Sequence, residues 1–279
     1  MRGPLRRLLL VCAVALACAA GRTAQAAAPP AAAGWTEHPE WGACFAAESL
    51  AGTIAVYDER TGLRGAYDLA RASRRYVPAS TFKIPHALFA LDAGLVKDEF
   101  TVFPWDSIPG EFDGWDADQT LRTSMSRSVL WVYQRFARAL GANRERAYLV
   151  RAGYGNADPG GAIDRFWIDG DLRISAVEQV EFLRRLRHNA LPFSPEHQRL
   201  VKDAMIVDAT REWVLRGKTG WSGSRNGNLG WFVGWLERAE GTVYFAVNVD
   251  LARGAEDLPK RERIARAALR VLDALPEDR

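Results

Sequence analysis

An α+β fold is predicted by three observations: β-like runs lie near both ends of the chain, helical patterns fill its middle, and 48% of the 279 residues are hydrophobic. Strands so far apart in sequence bury their apolar faces by meeting in one mainly antiparallel sheet flanked by helices. The helical middle forms a lobe of its own, and the seam between lobe and sheet is the natural place for a cleft. The expected division is a leader over 1–26 and a single domain over 27–279. Within the domain, the sheet part covers about 35–75 and 207–279, and the helical part about 76–206.

The leader stands outside that fold. Arg2, Arg6 and Arg7 form a basic start, Leu8 to Ala20 is an apolar run, and Ala24-Gln25-Ala26 offers a small-residue cleavage site. This is the pattern of a secretory signal peptide, and the run is short for a membrane span. The leader's arginines are 2, 6, 7 and 22, and it has no acids. Without it, the 37 basic residues fall to 33 against 34 acidic ones. No polybasic face remains to attract nucleic acid or an anionic membrane, and no stable membrane insertion is expected after cleavage. Cys12 and Cys18 leave with the leader, so Cys44 has no partner for an internal disulfide. The histidines at 38, 86, 188 and 197 show no metal-ligand spacing, and no metal site is expected.

Taken in order, Thr53 to Tyr57 and Leu63 to Tyr67 are strand-like runs about a Thr61-Gly62 turn. A helix opens near Ser80, with Phe82, Ala87, Leu88 and Leu91 at helical spacing and Pro85 distorting its first turns. Ser128 opens a helix that stops at Gly141. Asn143 can cap a segment to about Ala152. Ser175 and Glu178 form a capping box, and Ser194-Pro195 starts another helix. Strands return at Trp213 to Lys218, Leu229 to Leu236 and Val243 to Asp250. The last helix carries Ile264, Ala268, Val271, Leu272 and Leu275 on one face.

Within "PASTFKIP" (78–85), Ser80 and Lys83 are spaced i, i+3, one turn apart on one helix face. That spacing suits a serine nucleophile whose neighbour removes its proton. Phe82, Ile84 and Leu88 form an apolar wall that would lower the amine's pKa by desolvation. Alone, such a spacing is weak evidence. Four further features accompany it: Lys218-Thr219-Gly220 on a strand, Ser128-Val129-Leu130 at a helix start, Tyr154-Gly155-Asn156 after a helix, and the aromatic run Asp164 to Ile168. Each has a bland reading: a hairpin turn, an N-cap, a helix stop at Gly155, core packing. Together and in this order they are hard to explain as chance.

The set "PASTFKIP", "SVLWVYQRFARALG", "YGN", "IDRFWIDGDLRISAVEQVEFL", "GKTGWSG" and "LGWFVGW", from about residue 50 to 265, resembles the class D (OXA-type) serine β-lactamases. The resemblance implies the penicillin-recognising serine β-lactamase/transpeptidase-like fold and a small-molecule β-lactam substrate; the leader implies a periplasmic setting, and the choice between monomer and homodimer stays open. The resemblance also implies that Ser80 forms an acyl-enzyme and that Lys83, carboxylated by CO2 or bicarbonate, is the general base; no other cofactor is implied. Trp167 would hydrogen-bond that carbamate, with Leu130 and Ile168 as an apolar gate. Ser128 and Lys218 would deliver a proton to the leaving nitrogen. The N–H groups of Ser80 and Trp221 would form the oxyanion hole, and Thr219, Gly220 and Arg261 would hold the substrate carboxylate. Tyr154, Gly155 and Asn156 belong to the motif set without an assigned step. The family usually carries valine where Leu130 stands. Leu130→Val is therefore expected to alter deacylation more than acylation in single-turnover kinetics; equal changes would count against the gate. The same fold also serves D,D-peptidases, which share the Ser80 and Lys218 motifs, and non-catalytic β-lactam sensor domains.

Overall fold

Seven strands and eight helices lie among residues 33–223 and 228–276, which a computed structural model describes. The expected leader, 1–26, lies outside these residues. The strands are β1 (Thr36–Glu37), β2 (Gly52–Asp58), β3 (Leu63–Tyr67), β4 (Ile206–Ala209), β5 (Trp213–Ser222), β6 (Leu229–Arg238) and β7 (Gly241–Asp250). They form one sheet in the order β1-β3-β2-β7-β6-β5-β4, antiparallel except for the parallel β1–β3 pair. The two ends of the chain thus meet where β2 pairs with β7. The three C-terminal strands run further than their sequence patterns, each to ten residues. Edge strands β1 and β4 are too short and too exposed to show an alternating pattern.

Strand alternation divides the sheet's two faces. Ile54, Val56, Phe232, Phe245, Val247 and Val249 bury against α1 (Gly42–Ala47) and α8 (Lys260–Val271). On the other face, pairing aligns Ala66, Ala55, Ala246 and Val233 in a row across four strands. This row of mostly small side chains leaves room for α6 (Ala176–Arg187), whose Val177, Val180 and Leu183 are buried against β2 and β7. The same core continues into α3 (Lys83–Asp92), α4 (Leu121–Ser126), α5 (Leu130–Ala152) and α7 (Pro195–Ala204); the short α2 (Leu69–Ser73) follows β3.

Side-chain caps start four of the eight α-helices: α2, α4, α6 and α7. Ser175 and Glu178 form the expected box, with Glu178 N–H donating to Ser175 Oγ at 3.2 Å and Ser175 N–H to Glu178 Oε2 at 2.9 Å. Ser194 Oγ accepts from His197 N–H at 3.1 Å with Pro195 in the first turn. A Thr120–Thr123 box starts α4.

Three sequence expectations need correction. Ser128 is not an N-cap: it has φ 57°, Val129 caps α5, and the Ser128 hydroxyl is used elsewhere. The break at Gly141 (φ 74°, ψ 161°) occurs as expected, but helix resumes at once, so Asn143 lies inside it rather than capping it. The helix then ends at Ala152, as expected, on left-handed Gly153. Finally, α8 ends at Val271, which is 58% exposed, and Leu272 and Leu275 lie beyond it; Ala265 and Leu269 share the buried face with Ile264 and Ala268 instead.

Candidate active site

The chain enters α3 through a tight 3-10 turn, Ala79–Phe82, and Ala79 takes the left-handed φ of 50° that L-residues seldom adopt. Such a conformation is held by its surroundings and clusters at functional sites. Ser80 sits in the turn, partly exposed, and Lys83 opens the α-helix, 1% exposed. The i, i+3 spacing brings Lys83 Nζ to 2.7 Å from Ser80 Oγ. Pro85 falls in the first turn of α3, where its missing N–H costs nothing.

Burial holds the Lys83 amine well below the usual lysine range, and the nearby Lys218 cation lowers it further. No carboxylate among the described residues pairs with it; its Nζ lies 5.3 Å from the centre of the Tyr133 ring. Trp167 is fully buried and packs on rings that flank that lysine along the chain, 5.6 Å from Phe82, just before it, and 5.5 Å from His86, three residues after it, between ring centres. The Trp167 Nε1–H is buried with no acceptor. A neutral-leaning buried amine and an unpaired buried donor, packed around one turn of helix, leave a place for an anionic acceptor on Lys83.

A second serine–lysine pair faces the first. Lys218 Nζ donates to Ser128 Oγ at 3.0 Å and to Thr219 O at 3.1 Å. Burial, aided by the Arg261 cation, lowers the Lys218 amine to about 7. The left-handed turn at Ser128 is what aims its hydroxyl at β5 rather than back into α5. On β5, Gly217 N–H donates to Met205 O at 2.8 Å on the β4 side, and β4 pairs no further than Arg216. Alternation along the strand turns the N–H groups of Thr219 and Trp221 to the same side, where no strand covers them. Gly220 lets this bare edge approach the Ser80 turn: a Cβ there would meet Pro78 O at 3.1 Å and Thr81 Cγ2 at 3.2 Å.

Arg261, in the first turn of α8, donates from Nη1 to Gly220 O at 2.8 Å, while its Nε is buried without a partner. Burial lowers the guanidinium to about 10. An arginine so desolvated and part-satisfied is ready for a carboxylate. A cleft of about 470 Å³ joins these parts: Ser80, Ser128, Leu130, Ile168, Thr219, Gly220, Trp221 and Arg261 all line it. Leu130 and Ile168 are among its apolar members, and Ser222 Oγ donates to Ile168 O at 3.3 Å, tying that wall to β5.

Tyr154, Gly155 and Asn156 stay out of the cleft. Tyr154 is buried against Phe182, and Asn156 clamps the loop bearing Trp167 by accepting from Arg173 N–H and donating to Asp171 O, both at 2.8 Å. One contact escaped the sequence reading. His86 and Glu145, both fully buried, pair at 2.7 Å one helical turn beyond Lys83, tying α3 to α5. Nothing in the spacing of two residues 59 apart announces such a contact. Phe112, Trp115 and Leu258 form an aromatic and aliphatic rim around the cleft.

Comparison with known proteins agrees with this geometry. The family model described as penicillin binding protein transpeptidase domain matches residues 51–270. The chain is 53% identical to β-lactamase OXA-20 of Pseudomonas aeruginosa over 242 residues, 86% of this chain and 90% of that protein. It is 51% identical to β-lactamase OXA-2 of Salmonella typhimurium, covering 87% of this chain and 88% of that one. Among solved structures, the class D β-lactamase FUS-1 (OXA-85) of Fusobacterium nucleatum subsp. polymorphum superposes with a TM-score of 0.83 at 37% identity, over 86% of this chain and all of that one.

Proposed function

We propose, for a chain that belongs to the class D β-lactamase family, that it hydrolyses the β-lactam ring of penicillin-type antibiotics through an acyl-enzyme on Ser80, with carboxylated Lys83 as general base. The observation that carries the reading is the 2.7 Å Ser80–Lys83 contact around a lysine that is fully buried and has no carboxylate partner among the described residues. A carboxylate captured from CO2 on Lys83 Nζ supplies an anionic proton acceptor in that pocket. The Trp167 Nε1–H fits as its donor, being buried and otherwise unpaired.

Ser80 Oγ loses its proton on the Lys83 side and bonds to the β-lactam carbonyl carbon. The carbonyl oxygen becomes an oxyanion within reach of the Ser80 and Trp221 N–H groups, a donor pair in which each N–H is typically worth about 3 kcal/mol. The ring C–N bond breaks, and Ser128 Oγ passes a proton to the departing nitrogen, replenished from Lys218 Nζ. An amine near pKa 7 can both give and regain that proton at neutral pH. Arg261 and Thr219 hold the ring carboxylate. A water then attacks the acyl carbon from the Lys83 side, past Leu130 and Ile168, and frees Ser80. The basic, apolar start of the sequence supports export, with the periplasm as working compartment.

The test is steady-state turnover of benzylpenicillin before and after CO2 is removed at acidic pH. Activity is expected to fall on removal and to return on adding bicarbonate. Stoichiometric trapping without turnover would point to a D,D-peptidase instead, and indifference to bicarbonate would remove the carboxylated lysine from the mechanism.

A further inference from the structure

Three arginines line the cleft: 127, 165 and 261. Arg261 is anchored on Gly220 O, and Arg165 is held by Asp169 through bonds of 3.0 and 2.6 Å. Arg127 differs. It is exposed, and among the described residues no carboxylate pairs with it and its side chain makes one stretched hydrogen bond, 3.5 Å from Nη1 to Gly114 O. Its backbone is nevertheless fixed. Arg127 O accepts from Trp115 Nε1–H at 3.0 Å, and Arg127 N–H donates to Thr123 O at 3.0 Å. The side chain lies along Gly114, where a Cβ would meet Arg127 Cδ at 3.3 Å and Nε at 3.5 Å. Gly114 has φ 80°, so a side chain there would be strained as well as crowded. The loop therefore keeps a groove for this arginine at the cleft wall, directly before Ser128.

We propose that Arg127 forms a second anion subsite in the cleft, selecting β-lactams that carry a carboxylate or equivalent anion in addition to the ring carboxylate. The inference rests on the β-lactamase reading. A guanidinium presents paired N–H donors to a carboxylate, and this one has donors to spare. Glu111, which lines the same cleft, opposes such a ligand and sets the sign of a second test.

The experiment compares kcat/KM within two substrate pairs: benzylpenicillin with its α-carboxy analogue carbenicillin, and cefotaxime with ceftriaxone, whose ring substituent is acidic. Using ratios within each pair cancels differences in active-enzyme concentration. In Arg127→Gln, the dianion-to-monoanion ratio is expected to fall about five-fold in at least one pair, the ceiling for an exposed ion pair, and the pair affected identifies the end of the substrate that lies there. Glu111→Gln is expected to raise the same ratio, and added salt to shrink both effects. Ratios unchanged in both pairs, or equal losses for both members of each pair, would overturn the subsite. Failure of the wild-type enzyme to turn over benzylpenicillin would instead overturn the β-lactamase reading itself.

Discussion

Lys83→Ala is expected to lower benzylpenicillin turnover by about 10⁴-fold, the upper end of what a positioned general base contributes. The fold should survive, because the change removes a buried amine whose one hydrogen-bond contact is with Ser80. The loss should be uneven between steps. Acylation retains the N–H groups at Ser80 and Trp221 and the Ser128–Lys218 pair, whereas deacylation needs a base to activate water. Intact-mass measurement after mixing with penicillin should therefore find a slowly formed, long-lived adduct on Ser80. Bicarbonate should restore nothing, since the atom that takes up CO2 is gone. A variant that hydrolyses penicillin at a tenth of the wild-type rate or faster would place the base elsewhere.

Trp167→Phe is expected to cost about 100-fold in turnover at ambient CO2 and to raise the bicarbonate concentration for half-maximal activity by a similar factor. A hydrogen bond to a charged group is worth about 1.5–3 kcal/mol, and its loss leaves that charge buried with one donor fewer. Phenylalanine keeps much of the ring packing against Phe82 and His86, so the variant tests the N–H rather than the shape. The activity should climb back at high bicarbonate. A deficit that bicarbonate does not touch would assign Trp167 a packing role alone.

What could be read from sequence follows how far each contact reaches along the chain. Ser80 and Lys83 were legible because helical geometry converts a spacing of three into contact. The short apolar runs of β2, β6 and β7 announced their strands as directly, since a strand buried on both faces reads as a nearly continuous apolar stretch. The Ser128–Lys218 contact joins residues 90 apart, and only family resemblance linked them. His86–Glu145 and the position of the Arg127 guanidinium along Gly114 carried no sequence signal, since both depend on how α3, α5 and the 110–115 loop pack. The start of α5 was placed two residues early, at Ser128, because the left-handed backbone there is imposed by the turn and not encoded by a glycine.

The central claim, an anionic proton acceptor made from the Lys83 amine and CO2, is tested most directly by 13C NMR of the enzyme in 13C-bicarbonate. The expected result is a carbamate resonance from one site per chain that disappears in Lys83→Ala and whose intensity tracks activity as CO2 is removed and restored. A fully active wild-type sample with no such resonance would contradict the account.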